Sequence, residues 1–175
     1  MVAVLLVEDN PGDARLVREM LRDWDGHPKI GAVHAVDSLA GALAALAAEA
    51  FQVVLLDLSL PDSHGLETVS RLRQAAPTIP VVVLSGTDDE EMALKAVKGG
   101  AQDYLVKGRG DGETICRAIS YAIERFRAEE ALRQNEAELR TIFDHAGIGI
   151  AVVDGAGCCR KTNPASQAML GYPAA

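Results

Sequence analysis

The chain has 175 residues, 49% of them hydrophobic and 24% charged, which supplies a packed core and excludes a disordered chain. Its net charge is -8 and it has no Lys/Arg-rich block, so no nucleic-acid footprint is expected. No window approaches the roughly 18 apolar residues of a membrane span, and the amino terminus lacks the basic leader of a secretory signal. The three cysteines, Cys116, Cys158 and Cys159, lack metal-site spacing. A cytoplasmic chain with reduced thiols and no membrane contact is expected.

Apolar runs alternate with helical patterns along the first part of the chain. Val2–Val7 is strand-like and ends in Glu8-Asp9. Asn10-Pro11-Gly12-Asp13 is a turn, with Pro11 placed to open a helix carrying Leu16, Val17, Met20 and Leu21. Gly26-His27-Pro28 interrupts that pattern. Residues 30–36 form a second, weaker strand, and Ser38 can cap an alanine-rich helix running to Ala50. Val53–Asp57 is the third strand, and Pro61-Asp62-Ser63-His64-Gly65 is a loop before a helix marked by Leu66, Val69 and Leu72. Residues 79–84 form the fourth strand, residues 89–97 a short helix, and Tyr104–Val106 a brief fifth strand. A long helix opens near Glu113. Five repeats of strand and helix predict a doubly wound parallel α/β sheet with right-handed crossovers.

The strand ends carry the chemistry. In open α/β sheets ligands bind at the carboxyl edge of the strands. That edge receives Glu8 and Asp9 from the first run, Asp57 from the third, Ser85 from the fourth and Lys107 from the fifth. Glu8, Asp9 and Asp57 are hard oxygen donors that suit Mg²⁺, and crowded carboxylates favour a cation between them. Asp57 is the candidate nucleophile, since an ionised carboxylate can attack phosphorus without a protein base. Lys107 offers a point charge and Ser85 a hydroxyl donor to a phosphoryl group. Taken singly, each residue also has an ordinary reading. Glu8 and Asp9 fit strand-ending turn acids, Ser85 a turn residue before Gly86, Lys107 a solvated side chain, and Tyr104 sheet packing.

Leu5-Leu6-Val7-Glu8-Asp9-Asn10, Leu55-Leu56-Asp57-Leu58-Ser59-Leu60-Pro61-Asp62, Val83-Leu84-Ser85-Gly86 and the run from Gly99 to Lys107 resemble the receiver domain of two-component response regulators. The resemblance implies a flavodoxin-like fold with strand order 2-1-3-4-5. It implies Asp57 as phospho-acceptor, with Glu8 and Asp9 as the acidic pocket for Mg²⁺ and the Ser59 backbone carbonyl completing the metal site. It implies that Ser85 and Lys107 grip the phosphoryl group and that Tyr104 is an aromatic switch moving with Ser85. The implied partner is a histidine kinase or phosphotransfer protein. No enzyme activity is implied beyond Mg²⁺-dependent self-phosphorylation. One departure concerns Lys107: Gly108 follows it where the family often has proline in a cis bond. A cis bond before glycine costs about 3 kcal/mol, so a trans bond or a different loop is expected.

Beyond Arg127 the helical pattern becomes charged and alanine-rich. Ala128, Leu132, Asn135, Leu139 and Ile142 alternate four and three apart, a coiled-coil seam of about two heptads that fits a homodimer, or else a single solvated helix. Residues 149–154 and 158–163 read as two strands about a Gly155-Ala156-Gly157 turn, and Pro164 starts a helix. Residues 139–154, with Asn163-Pro164-Ala165 and Leu170-Gly171-Tyr172, resemble the start of a PAS sensor domain. This segment is expected to be the opening of a domain too short here to bury its own core. The resulting division is a receiver at 1–126, a signalling helix at 127–146 and a PAS fragment, partly α+β, at 147–175. The expected role is a phosphorylation-dependent signal receiver relaying through the helix. Its alternative is a pseudo-receiver that binds partners without using Asp57. An aspartate-nucleophile phosphatase or nucleotide-binding enzyme is less consistent, because no acid-x-acid strand or glycine-rich phosphate loop occurs near the amino terminus.

Overall fold

A computed structural model of the protein describes residues 1–86 and 90–171. The chain divides into two compact units, Met1–Arg127 and Ala128–Ala175. In the first unit the elements run in the order β1 (Val2–Val7), α1 (Pro11–Arg22), β2 (Ile30–Val36), α2 (Leu39–Ala48), β3 (Val53–Asp57), β4 (Ser59–Leu60), β5 (Ser63–His64), α3 (Leu66–Ala75), β6 (Val81–Ser85), α4 (Glu90–Lys98) and β7 (Asp103–Val106). Helix α5 (Gly112–His145) begins in the first unit and continues into the second. The expected start of α4 at Asp89, and Tyr172 of the PAS-like match, lie outside the described residues.

The main sheet has five parallel strands in the order β2-β1-β3-β6-β7, the flavodoxin-like arrangement. Its strands are apolar because helices cover both faces. Leu5, Val7, Val54, Leu56, Val81 and Val83 face one core, shared with α2 and α3. Val4, Leu6, Val53, Leu55, Val82 and Leu84 face the other, closed by α1 and α5. This alternation is the period-2 signature of strands buried on both sides. Helix α5 contributes Ile115, Cys116, Ala118, Ile119, Ala122 and Ile123. Phe126 is half-buried, and the Arg73 guanidinium lies over its ring at 5.4 Å. Cys116 is buried as a free thiol whose pKa burial raises to about 11. No helix among the described residues is long and apolar enough to cross a membrane.

Two differences from the sequence reading concern the site edge. The segment after Asp57, expected as plain loop, contains a short antiparallel ladder between β4 and β5. It is fixed from inside by the Thr68 hydroxyl donating to Ser63 Oγ at 2.8 Å, and by the Gly65 amide donating to the Leu58 carbonyl at 2.8 Å. Gly65 has φ +59°, a conformation that suits glycine, and it precedes α3 directly. The second difference is the start of α2. Ser38 accepts from the Gly41 amide as expected of a cap, but the two amides before it, Leu39 and Ala40, donate to Asp62 from 22 or 23 residues away, at 2.9 and 2.8 Å. Asp62 thus satisfies helix-start donors that no local residue reaches.

In the second unit, β8 (Ala151–Val153) and β9 (Cys159–Thr162) pair antiparallel, and α6 (Pro164–Leu170) follows. Asn163 organises this segment. Its Oδ1 accepts from the amides of Ile150 and Ser166, and its Nδ2 donates to the Ile148 carbonyl. Within the same unit the exposed face of α5 carries Leu132, Leu139 and Ile142.

The hydrogen bonds from Ala40 and Leu39 hold the Asp62 carboxyl below its ordinary pKa. A lowered folded pKa contributes stability above the unfolded value of about 3.9, and that stability is lost as pH falls through the lowered value. Asp62→Ala is therefore expected to cost about 1 kcal/mol at pH 7, read by urea denaturation, with the gap to wild type closing below about pH 4.

Candidate functional site

Parallel register assembles the site. Val7 lies opposite Leu56, so the next residues, Glu8 and Asp57, sit side by side where β1 and β3 end. Asp57 lies opposite Leu84, and Ser85 lies opposite Val106, one residue before Lys107. Ser85 and Lys107 are tied by the Lys107 amide donating to the Ser85 carbonyl at 2.7 Å. Asp9 follows Glu8 at the exposed mouth, while Glu8, Asp57 and Ser85 are buried. Asn10 then caps α1, its side chain accepting from the amides of Gly12 and Asp13.

The three acids converge as the sequence suggested. One carboxylate oxygen from each of Glu8, Asp9 and Asp57 lies within 4.8 Å of the others. This is an all-oxygen, hard-donor set, the kind that suits a divalent cation of the magnesium type. Lys107 reaches into the same place. Its ammonium is 2.7 Å from Asp57 Oδ2 and 2.5 Å from Glu8 Oε2, whose side chain is fully buried. Glu8 Oε1 accepts from the Asn10 amide at 3.1 Å, and Asp57 Oδ1 from the Ser59 amide at 3.2 Å. The carboxylate set of Glu8, Asp9 and Asp57 fits a cation.

Burial is the main force on Glu8 and raises its pKa, with the Asp57 charge acting the same way; the Lys107 hydrogen bond and charge oppose it only in part. Burial also disfavours the Lys107 charge, but hydrogen bonds to Asp57 and Glu8 outweigh it and leave its pKa above that of an ordinary lysine. Lys107 is thus a firm cation in an acidic pocket. The Lys107–Gly108 bond is trans, and Gly108 takes φ +74°. The loop turns by a left-handed glycine rather than by the proline common in the family.

Tyr104 lies in β7 opposite Val83, half-buried against the core shared with α2 and α3. Ser59 lies in β4, with its side chain exposed. Sequence reasoning missed Asp13, whose Oδ2 is 3.3 Å from the Lys107 ammonium. Its only signal was its place four residues beyond Asp9 at a helix start, a position acids occupy for the helix alone.

A buried acid with a raised folded pKa favours the protonated form. Its contribution to stability is full below the unfolded pKa of about 4.3 and is lost as pH rises through the raised value. In chelator at pH 7, Glu8→Gln is expected to melt about 3–5 °C above wild type, the shift that roughly 1 kcal/mol produces in a domain of this size. The gap should close as pH falls towards 4, and Mg²⁺ should raise the wild-type midpoint more than that of the variant. Differential scanning calorimetry across pH checks both.

Residues 4–120 match the response regulator receiver domain model, and residues 137–175 match a PAS domain model. Among curated relatives, the KDP operon transcriptional regulatory protein KdpE of Escherichia coli is 36% identical over 131 residues, covering 75% of this chain and 55% of the relative. The chain spans between 21% and 56% of the length of eight curated relatives that it matches. The solved receiver domain of the Francisella response regulator 1452 superposes with a TM-score of 0.62 at 21% identity, over 71% of this chain and 98% of that one. The Mn²⁺-bound form of response regulator Rcp1 superposes with a TM-score of 0.53 at 26% identity, over 71% of this chain and 91% of that one. Sheet order, register and family match agree, and the chain belongs to the response regulator receiver domain family.

Proposed function

We propose that the chain is a phosphorylation-dependent receiver that takes a phosphoryl group on Asp57 from a histidine kinase or phosphotransfer protein. The observation that carries this reading is the position of Asp57, at the end of a buried strand, between the Lys107 ammonium at 2.7 Å and the acids Glu8 and Asp9. An oxygen of Asp57 attacks phosphorus; the new P–O bond forms as the bond to the donor breaks, and the donor group leaves with the electron pair. The product is an acyl phosphate on Asp57. Lys107 balances charge on the phosphoryl oxygens, and Ser85 donates its hydroxyl to one of them. Mg²⁺ held by Glu8, Asp9, Asp57 and the Ser59 carbonyl supplies further positive charge when bound. The Mn²⁺ carried by Rcp1 supports a divalent site of this kind.

The domains assigned in this reading are a receiver at 1–126, a signalling helix at 127–146 and the amino-terminal part of a PAS domain at 147–175. Tyr104 packs inward as Ser85 is drawn to the phosphoryl group, and this rearrangement biases a two-state arrangement of the helix. Exposed Leu132, Leu139 and Ile142 at heptad spacing support a homodimer through that helix. The chain acts in the cytoplasm, and turnover beyond one phosphoryl group is not part of its role.

Intact mass after incubation with Mg²⁺ and acetyl phosphate tests the chemistry. One hydroxylamine-labile phosphoryl adduct is expected, absent from Asp57→Asn. No adduct, together with no Mg²⁺ binding, would identify a phosphorylation-independent interaction module instead. The relay has its own test, in a Leu132→Cys variant that also carries Cys158→Ser and Cys159→Ser. Its disulfide-linked dimer yield should change at least twofold on phosphorylation, and equal yields would remove the helix from the relay.

A further inference from the structure

Three carboxylates meet the Lys107 ammonium, and their other obligations differ. Glu8 Oε2 lies at 2.5 Å, Asp57 Oδ2 at 2.7 Å and Asp13 Oδ2 at 3.3 Å. Glu8 and Asp57 belong to the acid cluster that fits a cation. Asp57 must also release a donor when its oxygen bonds to phosphorus. Among the described residues, Asp13 alone pairs with Lys107 and stands outside that cluster.

The surroundings of Lys107 give it little other restraint. Gly108 and Gly110 both have positive φ, and the loop after Lys107 is exposed. Beside the lysine lies a cavity of about 260 Å³, lined in part by Asp13, Leu16, Val17, Leu105 and Ile115. The stem is therefore not closely packed on that side. Asp13 is itself well placed to hold it, since Asn10 caps α1 and accepts from the Asp13 amide. That bond fixes the backbone from which the carboxylate projects.

We propose that Asp13 is a positioning residue for phosphoryl transfer: it tethers the Lys107 ammonium over the site once Glu8 and Asp57 are committed to the cation and the phosphoryl group. The proposal rests on the receiver reading. It assigns Asp13 no contact with the phosphoryl group. Its effect passes through Lys107, whose charge must be held where it develops full value in the transition state.

A double-mutant cycle tests this, with initial rates of Asp57 phosphorylation read by intact mass in Mg²⁺ and saturating acetyl phosphate. Asp13→Ala should slow transfer on the order of tenfold, as expected when a charged group is misplaced by a fraction of its bond length. The same substitution should change the rate less than twofold in a Lys107→Ala background. Asp13→Glu, which keeps the charge on a longer stem, should recover part of the loss. Mg²⁺ affinity by calorimetry should stay within twofold for Asp13→Ala, and circular dichroism should show the folded chain. A rate for Asp13→Ala equal to wild type would overturn the proposal. So would an equal fold loss with and without Lys107, which would mark Asp13 as a residue serving only the start of α1. A wild-type chain that takes up no phosphoryl group overturns the receiver reading itself, and the tether with it.

Discussion

The packing of carboxylates at one sheet edge against a single ammonium governs the rest of this structure. Parallel pairing of β1 with β3 forces Glu8 against Asp57, because successive strand ends in a parallel sheet arrive at the same level. Two buried acids side by side are costly, and burial already pushes Glu8 towards its protonated form. Lys107 offsets part of that cost by reaching both acids. It cannot neutralise Glu8, Asp9 and Asp57 together. The pocket is left short of positive charge, and that shortage is what a divalent cation can fill. Stability and chemistry thus compete for the same few groups.

Much of the fold was legible in the sequence because it rests on local pattern. Val53-Val54-Leu55-Leu56 and Val81-Val82-Val83-Leu84 are apolar at every position, which only a strand covered on both faces requires. Pro11 after Asn10 marked the start of α1, and Ser38 marked the start of α2, where both caps form. The convergence of Glu8, Asp9 and Asp57 followed from strand ends alone, once a parallel sheet was inferred.

What was not legible depends on contacts between distant segments. Asp62 reads as a turn residue, yet it accepts from the first amides of α2. Gln102 is a polar residue that no local pattern marks as buried, yet it is buried with its side-chain oxygen accepting from the Val81 amide at 2.8 Å. Asp13 reads as an ordinary helix-start acid, and only the path of the β7–α5 loop brings Lys107 to it. In each case the residue type is common at the local position, so the sequence carries no excess signal. The short β4–β5 ladder was missed for another reason. Two-residue strands are too brief for a period to register, and a buried hydroxyl pair fixes them.

Helix α5 has a consequence of a different kind. After Gly112 it runs for the rest of its 34 residues with neither glycine nor proline. Sharp bends in helices arise at such residues or at local insertions, and the α5 sequence after Gly112 offers neither residue. A rod of this kind transmits displacement as rotation about its axis or as sliding along it, and each residue of length carries about 100° of angular phase. Along any helix a separation in residues is therefore also an angle. On a continuous helix, adding seven residues nearly preserves the phase, and adding four or ten turns the later side chains towards a new direction.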